Sequence, residues 1–213
     1  MAGRTLSRDP FSVIVTGVGG QGNVTASRLI ASMLVAKGYV VTVGETFGAS
    51  QRGGSVMSHV RISACHTYSP QVPKCRADVV VSLEPTETIR VLASYGHPET
   101  RCVVNDRPVY PVRVIAGEVE YPGIEEIDRT IAGLCRAHVM IGATSEALRL
   151  GNPVLQNVIM IGALQATGLV PFTRADFEGL VSAEMAPATA ELNLEAFDAG
   201  VRLAEQAMGG KAW

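Results

Sequence analysis

Aromatic residues are scarce in this sequence of 213 residues, and neither sign of charge is in large excess. Phe, Trp and Tyr make up 5% of the chain, which favours helices packed closely on a parallel sheet over a sandwich of aromatic-rich strands. The net charge of −2 provides no basic field for nucleic acid. Hydrophobic residues, at 47%, argue against disorder, and no apolar run approaches the roughly 20 residues of a membrane span.

The four cysteines are isolated from one another, and no two of them form a Cys-x-x-Cys pair. Iron–sulfur clusters and structural zinc sites draw several thiolates from a short stretch, so the spacing argues against either site on this chain. Residues 1–10 are polar and do not resemble a secretory signal. We therefore expect a cytoplasmic protein with reduced thiols at Cys65, Cys75, Cys102 and Cys135.

Short β-branched runs alternate with helical patterns along the chain. The patterns predict strands at 11–16, 39–43, 55–63, 78–83, 102–105 and 137–141, and helices at 23–37, 86–93, 144–150, 154–167, 173–185 and 187–208. The proline-containing segment 108–122 is expected to leave the edge of the sheet. No repeat or linker interrupts the pattern, so we predict a single domain over 1–213, a three-layer α/β/α Rossmann-like fold with a mostly parallel sheet.

A glycine-rich motif follows the first predicted strand and opens the first predicted helix. Residues 17–22 read Gly-Val-Gly-Gly-Gln-Gly, which matches G-x-G-x-x-G in the context where that pattern has meaning. Glycines let backbone N–H groups approach an anion, and the helix dipole contributes about 0.3 to 1 kcal/mol toward a phosphate. From the motif alone, phosphate-ester binding and a purely structural turn are equally supported. The candidate contacts are Gly17, Gly19, Gly20, Gln21 and Gly22.

Glu45 lies near the end of the second predicted strand, where dinucleotide-binding folds place an acid on the NAD ribose. This position supports a stand-alone NAD-dependent oxidoreductase as one alternative function. Against it, residues 44–54 are polar and glycine-rich and are predicted to form a long loop, and no separate substrate domain follows. A non-catalytic assembly or regulatory module is the second alternative.

Two segments taken together resemble a known enzyme family. The glycine motif is followed by Glu-Thr-Phe-Gly at 45–48 and Ser-Gln-Arg-Gly-Gly-Ser at 50–55. This combination is similar to the gamma domain of pyruvate and other 2-oxoacid:ferredoxin oxidoreductases, and most closely to its indolepyruvate-type beta subunits. The resemblance covers most of the chain, extending through 77–78, 157–163 and 192–197.

The resemblance implies a subunit of a complex that oxidatively decarboxylates a 2-oxoacid, forms acyl-CoA and reduces ferredoxin. The 2-oxoacid would be indolepyruvate or another arylpyruvate. In this family thiamine diphosphate, Mg²⁺ and [4Fe-4S] clusters belong to a larger alpha subunit, so this chain would carry at most a coenzyme A contact. Because side chains cannot replace a carbanion sink or metal centres, we expect the chain to be inactive alone.

Arg52 is the charged residue of greatest interest in the 44–54 loop. A guanidinium in a glycine-rich loop is suited to bidentate contact with a phosphate or a carboxylate. The alternatives are an ion pair with an acid of the partner subunit and ordering of its own loop. No catalytic residue and no metal ligand is assigned to the chain. The neighbours predicted to contact the same anion are Ser50, Gln51, Gly53, Gly54 and Ser55.

Overall fold

The computed structural model describes residues 6–48, 54–210 and 213. The described residues form six strands: β1 (Phe11–Val18), β2 (Val40–Phe47), β3 (Ser55–Ser63), β4 (Val79–Ser82), β5 (Arg101–Asn105) and β6 (Ala137–Ile141). They make one sheet in the order β2-β3-β1-β4-β5-β6. All residues of β1 are buried, as expected for a central strand that is covered on both faces.

The sheet is mostly parallel, as the sequence predicts. β1, β4, β5 and β6 pair in parallel, whereas β3 runs antiparallel to both of its neighbours, β1 and β2. Two antiparallel pairings restore the original direction, so β2 points the same way as β1. Only β3, among the strands that the structure describes, runs against the others.

The described part of the chain forms eight α-helices. They are α1 (Asn23–Ala36), α2 (Pro85–Tyr95), α3 (Val112–Ile115), α4 (Ile124–Leu134), α5 (Ala143–Arg149), α6 (Gln156–Ala166), α7 (Arg174–Glu184) and α8 (Pro187–Met208). None of these helices combines the length and the apolarity that crossing a membrane requires.

Helices cover both faces of the sheet and create two apolar cores. Val13 and Val15 of β1 face the core that contains α1, α6, α7 and α8, whereas Ile14 faces the core that contains α2 and α4. Successive side chains of a strand point to opposite faces, so one strand contributes to both cores. The predicted three-layer α/β/α arrangement is confirmed.

The second strand is longer than the sequence predicts. The prediction ended it at residue 43 and assigned 44–54 to a loop, but β2 continues to Phe47. Glu45 pairs with Ser58 and Thr46 pairs with Met57. The loop assignment is wrong for residues 44–47 because backbone pairing with β3 stabilises an extended conformation that the polar, glycine-containing sequence does not favour by itself.

The segment that follows β5 contains the short helix α3 and no strand. The Tyr121 hydroxyl donates a hydrogen bond to the carboxylate of Glu84, and this contact holds the end of the segment against the sheet. The same carboxylate caps α2 by accepting from the Glu87 N–H at 2.9 Å. The helix that comes next, α4, was not predicted from the sequence, and it packs on the sheet through fully buried Ile127 and Ile131.

Helices α6 and α8 pack backbone against backbone. A Cβ on Gly162 would overlap the carbonyl oxygen of Phe197, and a Cβ on Gly200 would overlap the carbonyl oxygen of Ile159. The two contacts are reciprocal, since each helix supplies one glycine and one carbonyl. This close crossing fixes α8 against α6 in the helical layer on that face of the sheet.

Candidate functional site

The sheet has a topological switch between β1 and β4. The chain leaves β1 into α1 on one face and leaves β4 into α2 on the other face. Open α/β sheets bind ligands in the crevice outside the carboxyl ends of their strands at such a switch. The glycine motif ends β1 and Glu84 follows β4, so both lie at this carboxyl edge.

Two glycines of the motif adopt left-handed backbone conformations, which L side chains rarely take. The φ angle is +102° at Gly20 and +89° at Gly22. Gly22 is the N-cap residue of α1, and a Cβ at this position would lie 2.6 Å from Nδ2 of Asn157. The first N–H groups of α1, beginning at Asn23, have no partner within the helix and are available to an anion.

Gln21 fastens the glycine loop to the end of the neighbouring strand. Its Oε1 accepts a hydrogen bond from the Val18 N–H at 2.7 Å, and its Nε2 donates to the Leu83 carbonyl at 2.8 Å. Gln21 is 9% exposed. Both ends of its amide group are therefore engaged with backbone, which fixes the position of the loop.

A buried polar network continues from Leu83 across the carboxyl edge. Asn105 at the end of β5 donates to the Leu83 carbonyl at 3.0 Å and accepts from the Thr144 N–H at 3.1 Å. The Thr144 hydroxyl donates to Oε1 of Gln156 at 2.7 Å. Such satisfied networks make a site rigid. These residues were not predicted from the sequence. A polar residue at the end of a buried strand, such as Asn105, is the signal that could have identified them.

An open depression of about 300 Å³ lies over the glycine loop. Phe47, which is 61% exposed, gives the depression an apolar wall that sequence reasoning did not identify. Asn23 is 3% exposed and its Oδ1 has no hydrogen-bond partner, which is rare for a buried acceptor. The lining residues are Gly19, Gly20, Gly22, Asn23, Val24, Phe47 and Val56.

The second predicted segment meets the glycine loop where the structure describes it. The Gly19 N–H donates to the Gly54 carbonyl at 2.9 Å. The Ser55 hydroxyl donates to Oε2 of Glu87 at 2.5 Å. The structure thus brings Gly54 and Ser55 beside the motif. The other predicted contacts in this segment lie outside the described residues: Ser50, Gln51, Arg52 and Gly53.

The sequence is similar to a known protein family and to individual proteins over most of its length. A sequence profile described as pyruvate ferredoxin/flavodoxin oxidoreductase matches residues 12–203. The chain belongs to this family. Two similar relatives are both named indolepyruvate oxidoreductase subunit IorB. The protein from Pyrococcus horikoshii is 36% identical over 197 residues, 92% of this chain and 96% of the relative. That from Thermococcus kodakarensis is 35% identical over 200 residues, covering 93% and 98%.

A solved structure shares the fold. It is the 2-oxoglutarate:ferredoxin oxidoreductase from Magnetococcus marinus, with 2-oxoglutarate, coenzyme A and succinyl-CoA bound. The TM-score is 0.71 at 23% identity, and the match covers 94% of this chain but 32% of that one. The chain therefore corresponds to about a third of that longer polypeptide.

Glu45 does not occupy the position of an NAD-binding acid, and this agrees with membership in the family. A dinucleotide fingerprint places its acid at the end of the strand next to β1. Here β3 lies between β1 and β2, so Glu45 is two strands from the glycine loop, about 10 Å at the usual strand spacing. Its carboxylate instead lies 3.9 Å from the guanidinium of Arg28. The sheet order thus removes the feature that supported the NAD-dependent alternative.

Proposed function

We propose that the chain is the non-thiamine subunit of an indolepyruvate-type 2-oxoacid:ferredoxin oxidoreductase in the cytoplasm. The complex oxidatively decarboxylates indolepyruvate or another arylpyruvate, forms the acyl-CoA and reduces ferredoxin. Two relatives that match more than nine-tenths of the chain are named indolepyruvate oxidoreductase subunit IorB, which supports the proposal. The structural observation that supports the proposal is the glycine loop at the switch point, together with the depression beside it.

The contribution of this chain is to hold coenzyme A, whose thiol accepts the acyl group. The first-turn N–H groups of α1 suit its phosphates, since they are unpaired donors at the positive end of the helix dipole. Exposed Phe47 offers an apolar surface to the adenine or the pantetheine chain. The coenzyme A bound in the Magnetococcus protein is consistent with this role.

The negative charge of coenzyme A requires a cation that the described lining does not provide. No Lys or Arg is among the described residues that line the depression. Arg52 is separated from Gly54 by one residue, and Gly54 is hydrogen-bonded to the glycine loop. Arg52 is therefore the residue that we assign to a coenzyme A phosphate.

Replacing Arg52 by alanine is expected to weaken coenzyme A binding to the complex by about tenfold or more, because a hydrogen bond to a charged group contributes roughly 1.5 to 3 kcal/mol. Isothermal titration calorimetry of the complex with coenzyme A measures this. Exposed Lys74, which precedes β4, is the matched control for the loss of one positive charge. Equal affinities for Arg52→Ala, Lys74→Ala and the unmodified complex would remove Arg52 from the site.

The partner is proposed to be a larger alpha subunit that holds thiamine diphosphate, Mg²⁺ and the [4Fe-4S] clusters. This chain then has no turnover alone, and the alpha subunit alone forms no acyl-CoA. An assembly module would behave differently, because turnover of the mature alpha subunit would persist after the chain is removed. Assaying the alpha subunit with and without this chain separates the two functions.

An exposed apolar surface lies at the carboxyl edge of the sheet, in the segment that follows β5. Val112 is 79% exposed and Ile115 is 74% exposed. The segment begins at the carboxyl end of β5, on the edge that also carries the glycine loop. We assign this surface to contact with the alpha subunit, since a subunit that closes over coenzyme A must cover this edge. Its residues are Tyr110, Val112, Ile115, Val119 and Ile124.

Replacing Val112 by aspartate is expected to weaken association with the alpha subunit by about tenfold or more, because burial of an unpaired carboxylate is unfavourable. Co-purification and sedimentation of the two subunits measure the effect. Val35 is the matched control, since it is 55% exposed near the end of α1 that lies at the opposite edge. If Val35→Asp disrupts the complex and Val112→Asp does not, the partner surface is on the other side of the chain.

A further inference from the structure

A cavity of about 250 Å³ lies at the amino edge of the sheet, where the parallel strands begin. The glycine loop follows the other end of β1 and is therefore at the opposite edge. Ser12 at the start of β1 pairs with Arg61 of β3, and both residues line the cavity. The other lining residues come from the segments that precede β1 and β4: Arg8, Pro10, Pro73 and Arg76. The proposed function makes no use of this edge.

The cavity is positively charged, since three of its described lining residues are arginines and none is an Asp or a Glu. The acid in contact with this group is Asp78, which accepts from the Ser12 N–H at 2.8 Å and forms an ion pair with Arg8 at 3.2 Å. Exposed Asp9 instead accepts from the Ala64 N–H at 2.9 Å. Three guanidinium groups are thus set against the single carboxylate of Asp78, which leaves two positive charges without a counter-charge.

Arg61 is only 8% exposed, yet it has no carboxylate partner. Its Nη1 donates to the carbonyls of Ser69 at 3.3 Å and Gln71 at 3.1 Å, and its Cζ lies 5.2 Å from the centre of the Tyr68 ring. Its Nε donates to no described residue. Every Asp and Glu of the chain is among the described residues, and none of them forms an ion pair with Arg61. Because buried charges in proteins are normally paired, the counter-charge is expected from outside the chain.

Two further donors of the cavity are without partners. Ser12 is 2% exposed, and its hydroxyl makes no hydrogen bond to a described residue. Arg76 is exposed and forms no ion pair with any residue that the structure describes. An unpaired cation at the surface is common, but a buried polar side chain without a partner is rare. Buried and exposed donors therefore line one cavity that offers them no acid, which is the arrangement of an anion-binding site.

We propose that this arginine cavity binds a phosphate group, either as inorganic phosphate or as the end of a small phosphate ester. A phosphate dianion supplies the two missing negative charges, and its oxygens suit the paired N–H donors of guanidinium groups. The volume of about 250 Å³ is below that of pockets for drug-sized ligands, so the cavity encloses a small anion. The inference is independent of the coenzyme A proposal, because the glycine loop lies at the opposite edge of the sheet.

The first test is a titration of the full chain with inorganic phosphate at constant ionic strength, followed by NMR of the arginine Nε–H groups. The Nε of Arg61 is buried, so its N–H signal should be protected from exchange, and its loss in Arg61→Lys identifies it. We expect this signal to move along a saturating curve. No movement, or a movement that sodium chloride reproduces, overturns the proposal. Glycerol 3-phosphate distinguishes the two sources, since tighter binding than that of inorganic phosphate indicates an ester and equal binding indicates the free anion.

The second test compares two arginines that differ in position. Arg76→Ala alters an exposed side chain and should weaken phosphate binding about tenfold, because a charge-assisted hydrogen bond is lost. Arg107→Ala is the matched control, since Arg107 is also exposed, forms no ion pair with a described residue and follows β5 at the opposite edge. Equal affinities in the two variants refute the site. Gly20→Ala should leave the Arg61 titration unchanged, and its loss there would place the phosphate at the glycine loop instead.

Thermal denaturation provides a readout that needs no signal assignment. Phosphate raises the melting temperature of many proteins because it is excluded from their surfaces, and Arg76→Ala retains this general effect. Binding to the folded chain adds a further increase that depends on the affinity. We therefore expect phosphate to raise the melting temperature more in the unmodified chain and in Arg107→Ala than in Arg76→Ala. Equal increases in all three would contradict the proposal.

Discussion

Replacing Gly200 by alanine is expected to lower the free energy of unfolding by about 3 kcal/mol or more, which corresponds to a melting temperature lower by about 10 °C. The added Cβ would overlap the carbonyl oxygen of Ile159 on α6. Backbone atoms of a helix cannot rotate away as a side chain can, so α6 and α8 must separate and lose their packing. Gly162→Ala, which meets the carbonyl of Phe197, should have a similar effect. Thermal and urea denaturation measure both changes.

Two other helical glycines provide the matched controls. Gly133 in α4 and Gly179 in α7 have no atom within 4 Å of the position where a Cβ would lie. Alanine at either position should stabilise the chain by about 0.5 to 1 kcal/mol, because glycine loses more backbone entropy on folding. If Gly200→Ala behaves like Gly179→Ala, the close crossing of α6 and α8 is not present in solution.

Replacing Gly20 by alanine is expected to weaken coenzyme A binding by about tenfold or more, which is at least about 1.4 kcal/mol. Gly20 lines the depression over the glycine loop, and its Cβ position is free of protein atoms. A methyl group there meets no protein atom and instead occupies space next to the backbone that the ligand must approach. Acyl-CoA formation by the complex should fall with the affinity. Calorimetry and an acyl-CoA assay at low coenzyme A concentration measure the two effects.

Gly168→Ala separates this effect from backbone strain. Gly168 also has a positive φ angle, +68° against +102° at Gly20, and no atom within 4 Å of its Cβ position. Both substitutions carry a left-handed cost of about 1 to 2 kcal/mol, but Gly168 follows α6, away from the loop. Comparable stability losses with weaker coenzyme A binding in Gly20→Ala alone support the site. Equal affinities in the two variants would show that the loop serves only as a structural turn.

Local patterns predicted the elements whose own residues favour one conformation. The bounds of β3 and β6 agree with the predicted ranges, as do those of α8, which begins at a proline. The capping box of Thr173 and Asp176 begins α7 where the sequence places it. These segments carry their signal within one or two turns or within one strand, so they can be recognised without knowing what they pack against.

Elements that depend on a distant partner were not predicted. The outer half of β2 has a polar, glycine-containing sequence, and only its pairing with β3 makes it a strand. The site shows the same limit. The glycine motif is evident in the sequence, but the support of Gln21 by Leu83 and the exposure of Phe47 depend on which strands become neighbours.

The sequence by itself determined the α/β class, the glycine loop between a strand and a helix, and the family. Each of these can be recognised from short segments of residues that are close together in the sequence. Tertiary structure alone decided the place of β3 between β1 and β2, which separates Glu45 from the loop. Periodicity reports which face of an element is buried, whereas the identity of the element that covers this face is set by packing across the whole chain.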